Sequence, residues 1–140
     1  MTHEHSGHYA GKRQGVQLNE TIAAAIREKV SEQRITCAEA HDIATRLNVT
    51  PEDVGAAIDL LEVRITKCQL GLFQPEKPDL SDKITPEITS AINSSLVDGR
   101  LTCRSAWQIA AKCNVSRAVV GAACDSMNVK VSACQLGTFK

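Results

Sequence analysis

Aromatic residues are nearly missing from this chain: one Trp, one Tyr and two Phe in 140 residues. Any core it builds must therefore be aliphatic, drawn from Ile, Val, Leu and Ala. Net charge is missing too, since 16 basic residues balance 16 acidic ones. No global positive field is available to attract nucleic acid. No apolar run approaches the roughly 20 residues that span a bilayer. The first residues, Met1 to Gln14, are polar and lack the apolar stretch of a signal peptide. These absences lead to the expectation of a cytoplasmic protein with no membrane partner, in which the six cysteines are mostly reduced thiols. Recognisable catalytic patterns are also lacking. There is no phosphate-cradling glycine loop, no carboxylate pair at a telling spacing and no Ser/His/Asp arrangement. His41 is the only histidine beyond the first eight residues. Enzymatic activity is not expected.

What the chain does contain is itself, twice. Leu18–Phe73 aligns with Ile84–Phe139 at a constant offset, without a gap, and about 22 of 56 paired positions are identical. The expected organisation is a disordered His-rich arm over 1–15, a first repeat over 16–73, a Pro-containing linker over 74–83 and a second repeat over 84–140. A unit of roughly 60 residues is near the lower limit for an independent core, so the copies are expected to pack on each other. Within the arm, His3, His5 and His8 could bind a metal, but no scaffold fixes them and solvated side chains are the simpler reading.

Each repeat reads as three helices. Asn19 caps the first, Glu20 to about Glu32, whose Ile22, Ala25, Ile26 and Val30 share one face. Thr85 and Pro86 begin its counterpart, with the stripe Ile88, Ala91, Ile92, Leu96. After a short break, Gln33–Arg34 or Asp98-Gly99-Arg100, a second helix starts at Thr36 or Thr102. Thr36 and Glu39 have capping-box form. Turns Asn48-Val49-Thr50 and Asn114-Val115-Ser116 follow. Asn tolerates the left-handed conformation that ends helices, and Thr50 or Ser116 caps a third helix. Val63-Arg64-Ile65 and Val129-Lys130-Val131 alternate apolar and charged, which predicts one short strand per repeat. Two such strands could pair with each other, or each could begin a reduced wing. Both repeats end Cys-Gln-Leu-Gly-x-Phe. The economical account of this tail is a glycine-ended turn that seats Phe73 or Phe139 against its own repeat.

The run Ala40–Leu61 resembles the bihelical core of helix-turn-helix and winged-helix DNA-binding proteins. The matching residues are Ala40, Ile43, Ala44, Leu47, the turn Asn48-Val49-Thr50, then Val54 and Ile58. Ala106–Met127 fits equally well. The resemblance implies a mainly α fold of two tandem helix-turn-helix, winged-helix-like repeats related by a pseudo-twofold axis. It further implies that the third helix enters the major groove. In the first repeat that helix opens with Thr50, Glu52 and Asp53, and acidic side chains there would face phosphates. The second repeat is better suited: Arg100–Val131 holds five basic residues and one acidic, Asp125. Duplex DNA would meet Arg100, Arg104, Lys112 and Lys130 at phosphates and Ser116 and Arg117 at base edges. A homodimer reading half-sites is one expectation. A protein-interaction module on the same scaffold is the alternative. It is favoured by the Gly-Ala-Ala strips Gly55-Ala56-Ala57 and Gly121-Ala122-Ala123. A mid-helix glycine costs about 1 kcal/mol against alanine, and close backbone packing would offset that.

The repeat also sorts the cysteines. Cys113 and Cys124 align with Leu47 and Ile58 and read as core residues. Cys37 pairs with Cys103 and Cys68 with Cys134. Three readings of these four remain open: inherited structural thiols, a metal site for zinc or an iron–sulfur cluster, and a redox-responsive thiol set. Against metal, the spacing lacks a Cys-x-x-Cys pair. No cofactor is expected to be obligatory.

Overall fold

A computed structural model describes residues 9–13, 15–72 and 78–139. It is mainly helical, with six α-helices and four three-residue strands among the described residues. The elements are α1 (Glu20–Lys29), β1 (Arg34–Thr36), α2 (Cys37–Leu47), α3 (Pro51–Leu60) and β2 (Arg64–Thr66), then α4 (Pro86–Ser95), β3 (Arg100–Thr102), α5 (Cys103–Cys113), α6 (Arg117–Ser126) and β4 (Lys130–Ser132). Every element of the second set begins and ends 66 residues after its counterpart.

The predicted caps are present. The Asn19 side chain accepts from the Thr21 and Ile22 backbone N–H groups, and Thr36 and Glu39 complete a capping box. Thr50, Thr85, Thr102 and Ser116 each accept the backbone N–H of the third residue of their helices. Asn48 and Asn114 end α2 and α5 at φ 55°. Burial falls on the expected stripes, with Ile22, Ile26, Ile43, Val54 and Ile58 inside one core and Ile88, Ile92, Ile109, Val120 and Cys124 inside the other.

Three expectations are corrected. First, α1 stops at Lys29. Ser31 and Arg34 exchange both backbone hydrogen bonds, each at 3.0 Å, around Glu32 and Gln33 at φ 52° and 61°. Two left-handed residues between reciprocally bonded ones form the tight turn that Asp-Gly favours, and Val97-Asp98-Gly99-Arg100 repeats it with that dipeptide. Second, each unit has two strands, and they pair in parallel within it: β1 with β2, and β3 with β4. The pair joins the strand before one helix to the strand after the next, so among the described residues no antiparallel wing follows α3 or α6. Ile35 and Ile65, like Leu101 and Val131, face the cores. Third, the arm is structured at Tyr9–Arg13, which forms a 3-10 turn. Glu62 accepts the Tyr9 and Ala10 backbone N–H groups at 2.8 and 2.9 Å, and Arg13 pairs with buried Asp59 at 2.9 Å. His3, His5 and His8 lie outside the described residues.

The chain also divides into two compact units, whose bounds differ from those of the two repeats. The first comprises Met1–Lys67 with Gln135–Thr138, and the second Cys68–Cys134 with Phe139–Lys140. Each Gln-Leu-Gly segment therefore belongs to the unit built mainly from the other repeat. Leu136 is 1 % exposed in the first unit and Leu70 3 % in the second. The seated side chain is thus the leucine. Phe139 packs beside the core of its own repeat, as expected, while Phe73 lies outside the described residues.

Candidate functional site

The six basic and hydroxyl residues proposed for DNA contact separate into three places in the second unit. Arg100 and Lys130 are register partners on β3 and β4, both exposed. Strand alternation puts Leu101 and Val131 into the core and turns these two cations outward together. Arg104, exposed on the first turn of α5, follows directly. That turn contains no acidic residue, whereas Glu39 occupies the matching turn of α2. Two exposed cations in register and one at a positively polarised helix start make a face suited to phosphate.

Lys112 lies about 12 Å further along α5. It edges a groove of about 400 Å³ between α4 and α5, with Glu87, Ser94, Ser105 and Cys113. The Cys113 thiol is pushed up by burial and by the neighbouring Glu87 carboxylate. Cys113 is only half-buried, packed at the edge of the core, unlike Cys124.

Ser116 and Arg117 occupy the start of α6. Ser116 is engaged as the helix cap, accepting from Val119 N–H at 3.4 Å. The Arg117 guanidinium lies 3.5 Å from the centroid of the Trp107 ring and donates to Gln69 Oε1 at 3.2 Å. It is thereby held against α5 and against the segment preceding Leu70. Trp107 replaces His41 of the first repeat, and Arg117 replaces Pro51.

The third helices are covered on more than one side. Val119, Val120, Gly121, Ala123 and Cys124 of α6 are buried, as are Val54, Gly55, Ala57, Ile58 and Asp59 of α3. A Cβ at Gly55 would collide with the Leu136 backbone carbonyl, and one at Gly121 with that of Leu70. The mid-helix glycines are therefore explained by close packing against the tails, as the Gly-Ala-Ala strips suggested. Gly71 and Gly137 take φ 76° and 77°, the left-handed conformation that glycine adopts without strain. The recurring tail motif thus supplies a leucine to bury and a glycine to turn. Arg13 fastens one tail by donating to the Leu136 carbonyl at 3.2 Å.

The four paired cysteines are split, with Cys37 in the first unit and Cys68, Cys103 and Cys134 in the second. Among the described residues no three His, Cys, Asp or Glu side chains gather as metal ligands would. All six cysteines carry thiols rather than disulfides. Cys37 and Cys103 are buried at the first positions of α2 and α5, and Cys68 and Cys134 are half-buried.

Sequence reading missed the strand pairs, and a signal for them exists. Arg34-Ile35-Thr36, Arg64-Ile65-Thr66, Arg100-Leu101-Thr102 and Lys130-Val131-Ser132 are four copies of one pattern: basic, aliphatic, hydroxyl. Arg34 and Arg64 are register partners in the first unit, matching Arg100 and Lys130. Among the described residues no helix is long and apolar enough to cross a membrane. No family model, curated protein or solved structure matches the chain.

Proposed function

We propose that α2–α3 and α5–α6 are helix-turn-helix pairs, and that the chain is a non-catalytic regulator contacting duplex DNA mainly through its second unit. The supporting observation is the exposed register pair Arg100 and Lys130 followed by Arg104 on a helix turn without an acidic residue, whereas the matching pair Arg34 and Arg64 of the first unit is followed by Glu39. Like charges side by side on a sheet are unfavourable. A polyanionic ligand would offset that repulsion. Arg100, Arg104 and Lys130 would contact phosphates. Arg117, stacked on Trp107, is poorly placed to read bases, so the proposal departs from major-groove reading by α6 and expects weak sequence preference. The test is binding to mixed-sequence duplex at low salt. Alanine at Arg100, Arg104 and Lys130 together should abolish binding, and Arg117→Ala should leave most of it. The reverse ranking would overturn this assignment.

A second reading, a protein-interaction module without DNA, is favoured by the burial of α3 and α6, the helices a groove reader would expose. Under that reading the triple variant keeps its partner and the natural chain shows no affinity for duplex.

A further inference from the structure

The two units are closed by the same lock. In each, a Leu carbonyl from a Gln-Leu-Gly segment rests on a glycine in the middle of a helix: Leu136 on Gly55 of α3, and Leu70 on Gly121 of α6. The leucine side chains are buried. Plug and socket come from different repeats in both cases. A third repeated feature stands at the root of each plug. Lys67 and Ala133, equivalent positions directly after β2 and β4, hold φ 51° and 53°. Neither residue favours the left-handed region, and a strained hinge next to a docked segment favours exchange of that segment between chains.

We propose that the segment Gln135–Gly137 of one chain seats in the α3 socket of a second copy, so that two chains exchange plugs. The partner is set by chemistry that every copy possesses. The socket offers a side-chain-free helix surface at Gly55, and Arg13 as donor to the incoming Leu136 carbonyl. Nothing in these contacts requires that plug and socket share a chain. Exchange replaces one set of contacts with an identical set and lets the hinge at Ala133 relax, the usual route to segment-swapped dimers.

Complementation tests this directly. Gly55→Leu blocks the socket and leaves the plug intact, whereas Leu136→Asp disables the plug and leaves the socket. The two variants, differently tagged, are mixed at equal concentration, and mass is followed by light scattering on a sizing column. The expected result is co-capture, with a species of twice the chain mass in the mixture and not in either variant alone. A mixture that behaves as the sum of its parts, with both variants retaining helical circular dichroism, would overturn the proposal. Should either variant unfold, tagged and untagged natural chains replace them. Co-capture rising with concentration supports exchange, and a single-chain mass at every concentration refutes it.

Discussion

Gln33 holds φ 61° where the second repeat has Gly99 at φ 75°. A side chain in the left-handed region costs about 1–2 kcal/mol that glycine does not incur. Gln33→Gly should therefore raise the stability of the first unit by about 1 kcal/mol in a thermal or urea melt, once the larger backbone entropy of glycine in the unfolded chain is set against it. Gly121→Ala should act in the opposite direction. Its methyl group improves helix propensity but meets the Leu70 carbonyl. Overpacking typically costs 1–3 kcal/mol, so a net loss of about 2 kcal/mol is expected. Arg13→Ala would remove the guanidinium that pairs with Asp59, whose residue is 4 % exposed. Removing one partner of a buried pair costs about 3 kcal/mol or more, and loss of that size in the first unit is expected by the same melt.

Two titrating groups belong to this scale. Backbone and side-chain hydrogen bonds from Thr36 hold the Glu39 carboxyl below its ordinary value. Its contribution is complete at neutral pH and fades as pH falls through the depressed value, so Glu39→Gln should flatten the acid limb of a stability–pH curve. Burial pushes the Cys124 thiol up to about 11. The folded state then gains from the neutral thiol below the ordinary value near 9 and loses that gain as pH rises to about 11. Alkylation of Cys124 at pH 8 should accordingly wait for unfolding.

At the scale of elements, the helices were legible in the sequence, and so were β2 and β4 from their alternation of apolar and charged residues, but β1, β3 and the parallel pairing were not. Caps announce themselves locally: Asn19, Thr36, Thr50, Thr85, Thr102 and Ser116 are hydroxyl or amide residues placed just before apolar stripes. Pairing register is a non-local property that three residues of local sequence do not carry. β1 and β3 also abut helix caps and so read as helix starts. The Asp98-Gly99 dipeptide marked a tight turn all the same. The strand pairs supply a prediction that separates stability from binding. Lys130→Thr removes a like-charge neighbour of Arg100 and should stabilise the second unit by a few tenths of a kcal/mol. If Lys130 meets a phosphate, the same change lowers the salt slope of DNA binding by about 1.

For the whole molecule, the repeat predicted that something packs on Gly55 and Gly121 but could not identify it. Identity between repeats shows that both have a socket and a plug, and it is silent about which plug fits which socket. That pairing is a non-local fact: Gly55 and Leu136 are 81 residues apart in the chain. The candidate DNA face was partly legible for a similar reason. Charge counting pointed to the second repeat, but register is needed to unite Arg100 with Lys130, and tertiary contact is needed to see Arg117 held by Trp107 and Gln69. Among the described residues Cys37, Cys68, Cys103 and Cys134 do not gather in a group of three or more metal ligands.

The measurement that bears most directly on the central claim is the salt dependence of the natural chain's binding to mixed-sequence duplex DNA, begun near 50 mM. Three phosphate contacts from Arg100, Arg104 and Lys130 predict a slope of roughly −3 in log affinity against log salt. No binding at the lowest salt, or binding indifferent to salt, would contradict it.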